Sequence, residues 1–195
     1  MTLYDNRTKE DWQEELRPQE FWTYRHFYAA MSLLGAPESL LDVGCGFGWL
    51  VDEARNFGIE SFGVDQLISE DNYDYGVALF HNNLVEKFTL PKPVMMVWCT
   101  EVAEHLDASA HATLCDTCAD NLAEGRGNYL IFSSAYPNQG GNGHLSERPS
   151  KYWLDQFALR KLGYRKDLTV NLSLLWSNIG SPLYWLANNV LVFEK

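Results

Sequence analysis

The residues best suited to chemistry cluster after an apolar run, in Cys99-Thr100-Glu101-Val102-Ala103-Glu104-His105-Leu106. Glu101, Glu104 and His105 stand at i, i+3 and i+4. On a helix, that spacing gathers two carboxylates and an imidazole on one face. Three uses compete for them. They can cap and orient the start of the helix. His105 or a glutamate can take a proton from an acceptor hydroxyl, since imidazole titrates near neutrality. Or the set can hold a divalent cation that polarises an acceptor oxygen. His144 lies in a Gly/Asn/Ser/Pro-rich stretch, 134–149, with little apolar sequence around it. It is expected to line the same site, as a second base or a further ligand.

A second constellation is built for binding. Leu41-Asp42-Val43-Gly44-Cys45-Gly46-Phe47-Gly48 falls between a strand-like and a helix-like segment. Glycines there let the chain turn sharply and let a ligand approach the backbone. Asp65 follows 21 residues after Gly44, at the end of the next strand-like run. A carboxylate so placed can accept hydrogen bonds from both hydroxyls of a ribose. The dinucleotide pattern Gly-x-Gly-x-x-Gly fails in both registers, because its third glycine would be Trp49 or Val51. Asp42 is a poor neighbour for a pyrophosphate and a good one for an ammonium group.

These groups need a scaffold. Apolar residues recur at helical spacing over 8–34, with Pro18 breaking the segment into two pieces and Gly35-Ala36-Pro37 ending it. Strands are expected at 39–43, 60–64, 77–81, 94–99 and 129–133, and helices at 49–57, from near Glu101, at 108–123 and at 152–162. In the tail, 166–176 and 189–194 are expected to form a closing hairpin. Alternating strands and helices imply an α/β fold: a seven-stranded, mostly parallel sheet with helices on both faces and a C-terminal antiparallel hairpin. In such sheets ligands sit beyond the carboxyl ends of the strands, where both constellations fall.

Asp42-Val43-Gly44-Cys45-Gly46-Phe47-Gly48 resembles motif I of class I S-adenosylmethionine (SAM)-dependent methyltransferases, and residues 99–106 resemble that family's motif IV. The resemblance spans about 38–195. It implies that Asp42, Gly44, Cys45, Gly46 and Gly48 cradle the methionine part of SAM and that Asp65 binds its ribose. It further implies that Asn82 and Asn83 lie beside the adenine, where the family usually has an aspartate, and that Thr100 completes the cofactor site. Catalytic roles fall to His105, His144 and Glu101. The pattern is similar to that of metal-dependent O-methyltransferases, in which Glu101, Glu104, His105 and His144 would be the metal ligands. Residues 1–37 would form a helical lid over a catalytic domain at 38–195. The acceptor implied is a small molecule or saccharide, methylated on oxygen or nitrogen. A nicotinamide-dependent oxidoreductase, disfavoured by Trp49, and a non-catalytic metabolite-binding domain of the same fold stay as alternatives.

Composition narrows the setting. The 195 residues suit one domain, and 10 Phe, 10 Tyr and 7 Trp can fill a sizeable core. A formal net charge of −11 disfavours long nucleic acids and anionic membrane surfaces. The four cysteines suit buried thiols in a reducing compartment, and Cys115-x-x-Cys118, lacking a second pair, suits ordinary helix packing rather than zinc. With no apolar leader in residues 1–10 and no long apolar run, a cytoplasmic protein is expected.

Overall fold

Strands whose side chains are apolar in both directions must be covered on both faces, and this rule organises the molecule. A computed structural model describes residues 9–71 and 78–195, with the side chains of 9–19 outside that description. Strands β1 (Ser39–Val43), β2 (Glu60–Asp65), β3 (Leu79–His81), β4 (Met96–Thr100), β5 (Tyr129–Ser133), β6 (Gly163–Tyr164) and β7 (Leu191–Glu194) form one sheet of order β3-β2-β1-β4-β5-β7-β6. The first five run parallel, and β7 is antiparallel to both β5 and β6.

The helices are α1 (Lys9–Leu34), α2 (Trp49–Asn56), α3 (His111–Asn121), α4 (Ser150–Ala158), α5 (Lys166–Asn178) and α6 (Tyr184–Asn189). Alternation along the strands sends Leu41, Val97, Cys99, Leu130, Phe132 and Phe193 into a core with Leu114, Cys118, Trp153 and Phe157 of α3 and α4. It sends Leu40, Met96, Trp98, Ile131 and Val192 into a second core with Phe27, Leu50, Leu172, Trp176 and Leu186 from the other helices. Cys99, Cys115 and Cys118 are buried free thiols, as expected for packing residues. No described helix is long and apolar enough to cross a membrane.

Three expectations are corrected. Residues 166–176 are helical, not a strand. Alternating Leu168, Val170, Leu172 and Leu174 mimic a strand, but Thr169, Leu172 and Trp176, at helical spacing, are the residues buried. The antiparallel pair in the tail is instead β6 with β7, the partner of β7 lying before α5. Helix α1 runs unbroken through Pro18. One missing N–H costs one backbone bond, and the Glu, Leu, Arg and Gln around it are strong helix formers. Finally, no α-helix starts near Glu101. That residue has φ 56°, and the chain makes only a 3-10 turn at Ala103–His105. The third strand begins at Leu79, and Val77, expected to open it, lies outside the described residues.

Candidate active site

β1 lies between β2 and β4 in the sheet, so the crossovers leaving it and its neighbours diverge to opposite faces and open a crevice at the carboxyl end. There the glycine loop turns back on β2. The Gly44 and Cys45 amides both donate to the Val64 carbonyl, at 2.8 and 3.2 Å. Asp65 receives the Gly46 amide on Oδ2 at 3.0 Å and the Leu67 amide on Oδ1 at 2.8 Å. Gly44, Gly46 and Gly48 have φ of 81°, 57° and 88°, a region that disfavours other side chains. A Cβ at Gly44 would collide with Val102, and one at Gly48 would crowd Leu79, whereas one at Gly46 would meet open space. Gly63 is part of this construction although it carries no motif signal. Its missing side chain leaves room for the Cys45 thiol, 2.7 Å from where a Cβ would stand.

Two acids beside this loop are unusually basic. Burial, and then the Asp65 charge, push Asp42 up to about 8. Burial pushes Asp65 up to about 6 against the opposing pull of its backbone donors. Asn82 and Asn83 follow β3 and fold onto their own backbone, accepting from the amides of Leu84 and Val85 at 2.6 and 3.3 Å.

The acid–base residues do converge, through a turn rather than a helix face. Glu101 takes its left-handed conformation as its amide donates to the Ser133 carbonyl and hydroxyl, both at 3.2 Å, while the Ser133 hydroxyl donates to Glu101 Oε1 at 2.7 Å. Asn189, at the end of α6, donates to the same oxygen at 3.4 Å and to Gln139 Oε1 at 3.0 Å. Glu104 is fully buried; its Oε1 accepts the Ala135 amide at 3.3 Å, and its Oε2 has no donor. The Glu101 carboxyl lies within hydrogen-bonding reach of it. Burial and that neighbouring charge hold Glu104 well above the usual carboxylate range, and burial also raises Glu101. A proton between the two carboxyls is the physical resolution.

His144 arrives on the loop after β5, its ring 5.1 Å from that of His105 and nearly perpendicular to it. One ligand atom from each of Glu104, His105 and His144 lies within 4.8 Å of the others. Glu101 is not in that triangle. His105 Nδ1 donates to the Gly143 carbonyl at 3.2 Å, and burial lowers its pKa, so the ring is neutral near pH 7. His144 Nδ1 pairs with Glu147 Oε1 at 2.9 Å. Glu147 also receives the Asn138 and Gly140 amides, each at 2.7 Å, and so ties down the whole loop. Sequence reasoning missed Glu147, Gln139 and Asn189. Only the first left a trace, as the one carboxylate of the 134–149 stretch, three residues past His144.

Both constellations open into one cavity of about 640 Å³. Asp42, Gly44, Cys45, Gly46, Asp65, Asn82, Asn83, Thr100, Glu101, Glu104, His105 and His144 all line it, with Thr23, Trp49, Tyr136 and Tyr184. Gly48 does not line it; it sits behind the loop as the left-handed residue that precedes α2.

No protein-family model matches the chain, and no curated protein matches its sequence. Solved structures do match. A SAM-dependent methyltransferase from Archaeoglobus fulgidus is 15% identical, with a TM-score of 0.62 over 94% of this chain and 97% of that one. A sugar N-methyltransferase from Streptoalloteichus is 15% identical, with a TM-score of 0.66 over 100% and 96%. A geranyl diphosphate C-methyltransferase from Streptomyces coelicolor is 16% identical, with a TM-score of 0.55 over 97% and 85%. The chain has the class I SAM-dependent methyltransferase fold.

Proposed function

We propose that the protein is a SAM-dependent methyltransferase that methylates an oxygen or nitrogen of a small-molecule or saccharide acceptor. The supporting observation is the single cavity joining the glycine loop and Asp65 to the Glu101, Glu104, His105 and His144 cluster. The residues present suit the cofactor. Asp42 is a buried carboxyl in a cavity that no described Lys or Arg lines, so a ligand ammonium is its natural counter-ion. Asp65 would hold the ribose hydroxyls, the 44–48 loop the methionine part, Asn82 and Asn83 the adenine edge, and Thr100 the wall beside them. Gly46 leaves open the space that a side chain would fill.

Bound SAM supplies an electrophilic methyl group on a sulfonium. The chain's own task is alignment, which can contribute roughly 7–11 kcal/mol when reacting atoms are held near attack distance. His105, neutral and anchored through Nδ1, is placed to take the proton of a hydroxyl acceptor, with His144 as its neighbour. Tyr136 and Tyr184, both exposed, stand at the cavity wall where an acceptor ring can stack. We assign the described part of the expected 1–37 lid, residues 9–37, to that role, supported by Thr23 of α1 lining the cavity; residues 1–8 lie outside the described residues.

Calorimetry with S-adenosylhomocysteine and with NAD(H) tests the reading. S-adenosylhomocysteine should bind, and Asp65→Ala should weaken it at least tenfold, the effect of losing one charge-assisted hydrogen bond of about 1.5–3 kcal/mol. Binding of NAD(H) with no response to adenosyl-sulfur compounds would favour the oxidoreductase.

A further inference from the structure

We propose that the acceptor carries an oxyanion, a carboxylate or a phosphate, and that this group sits outside the cavity, in a neighbouring groove, against Arg148. The proposal rests on the methyltransferase reading and narrows its acceptor.

The groove, of about 500 Å³, runs along the loop after β5. Gly140, Gly141 and His144 line both it and the main cavity, so the two hollows share a wall. An acceptor whose reacting group enters the cavity beside His144 can rest its far end in the groove.

The two hollows differ in charge. Asp42, Asp65, Glu101 and Glu104 line the cavity, and among the described residues no Lys or Arg does. An anionic group finds no counter-ion on that wall. The groove has one, because Arg148 lines it. The central carbon of its guanidinium lies 5.5 Å from the centre of the Tyr152 ring. A cation–π contact holds the charge in place and uses up none of the N–H donors. Among the described residues the guanidinium has no hydrogen bond or ion pair. Its Nε is buried without a partner, and its two Nη groups are neither buried nor paired. Carboxylates are plentiful, with 26 Asp and Glu against 15 Lys and Arg. Arg160 has taken Asp116 at 2.6 Å and Arg165 has taken Glu194 at 2.7 Å, yet Arg148 has taken none.

Glu147 also lines the groove, but both its oxygens are engaged. Oε1 accepts the Gly140 amide and pairs with His144 Nδ1, while Oε2 accepts the Asn138 amide. Its charge is answered within the loop. The Arg148 fork therefore stays open, and two Nη groups match two oxygens of a carboxylate or phosphate in paired, charge-assisted hydrogen bonds. Helix α4 begins two residues on, at Ser150, so the positive end of its dipole favours the same sign of ligand. A single small oxyanion fits a chain whose net charge of −11 disfavours a polyanion.

The test uses the full chain saturated with S-adenosylhomocysteine and two matched probe pairs, glucose with glucose 6-phosphate and benzyl alcohol with 4-(hydroxymethyl)benzoate. Calorimetry should show at least one anionic probe binding tenfold or more tightly than its neutral partner, and the two pairs tell a phosphate from a carboxylate. In protein carrying nitrogen-15 arginine, that probe should also shift the Arg148 Nε–H resonance, assigned by its loss in Arg148→Lys. Arg148→Gln should remove the preference while leaving S-adenosylhomocysteine affinity within twofold, since Arg148 does not line the cofactor cavity. Should that variant melt early, Arg148→Lys decides. An ammonium keeps the charge but not the paired bonds, so the preference should fall at least threefold. Equal binding within both pairs overturns the proposal. So does a preference that survives both variants, or an anion that displaces S-adenosylhomocysteine. If S-adenosylhomocysteine itself fails to bind, the methyltransferase reading falls, and the same titrations without it decide whether the groove binds anions through Arg148.

Discussion

Asp42 and Asp65 make the protein's stability depend on pH in a defined direction. Both carboxyls are raised above their ordinary values, to about 8 and about 6. Their contribution is fully present below pH 4 and is lost as pH rises through 6 for Asp65 and through 8 for Asp42. Above pH 6.5, where the buried histidines are neutral, thermal melts of the ligand-free protein should therefore fall toward pH 8.5, and Asp42→Asn should flatten that decline. Bound S-adenosylhomocysteine, whose ammonium favours ionised Asp42, should flatten it too. A second prediction concerns Gly141. The His144 ring occupies the place of its missing side chain, at a backbone conformation that other residues tolerate. Gly141→Ala should displace the ring and slow methyl transfer tenfold or more, since misplacement of about 1 Å can cost a hundredfold, while the melting temperature stays nearly constant. The clustered carboxyls and imidazoles lining the cavity were legible because motif spacing survives in sequence. Glu147 and Asn189 were not, because they act by reaching His144 and Glu101 across a loop and from the far end of the chain.

Elements defined by two-sided burial were the ones most readily read. Runs such as Leu40-Leu41 and Met96-Val97-Trp98-Cys99 can only be strands covered on both faces. Helix α5 was misread because its exposed face is also apolar. Val170 and Leu174 are 48% and 58% exposed, and together with the buried positions they give a false period of two. The buried seam carries the energetics. Trp176 packs 5.8 Å from Trp98, donates Nε1–H to the His26 carbonyl at 3.0 Å and meets the His26 ring edge-on. Trp176→Ala should cost about 3–5 kcal/mol in urea unfolding, whereas Val170→Ser should stay within about 0.5 kcal/mol. The same seam is sensitive to acid. His26 has its Nε2 buried without a partner, and burial lowers its pKa. Stability is thus lost as pH falls below 6.5, and His26→Gln should lessen that loss.

At the scale of the whole molecule, β1 with its neighbours β2 and β4 fixes where the cavity opens; the strands that line it end at that rim, and α1 crosses it at Thr23. The alternation of strands and helices made this architecture legible. The insertion of α5 and α6 between β6 and β7 was not, because it depends on which helix faces find partners. Occupancy of the rim should stabilise the entire fold. S-adenosylhomocysteine at a hundred times its dissociation constant should add about 2.7 kcal/mol to the unfolding free energy, and a tenfold weaker affinity in Asp65→Ala should cut the gain at that same concentration to about 1.4 kcal/mol or less.

The contact of Gly44 with Val102 ties the two ends of the crevice into one mechanical unit. A bulkier residue at 102, as in Val102→Ile, would lean on the backbone of the glycine loop at Gly44. On the proposed function, evolution or engineering that reshapes this pocket for a new acceptor at that position would therefore retune its grip on the methyl donor in the same stroke.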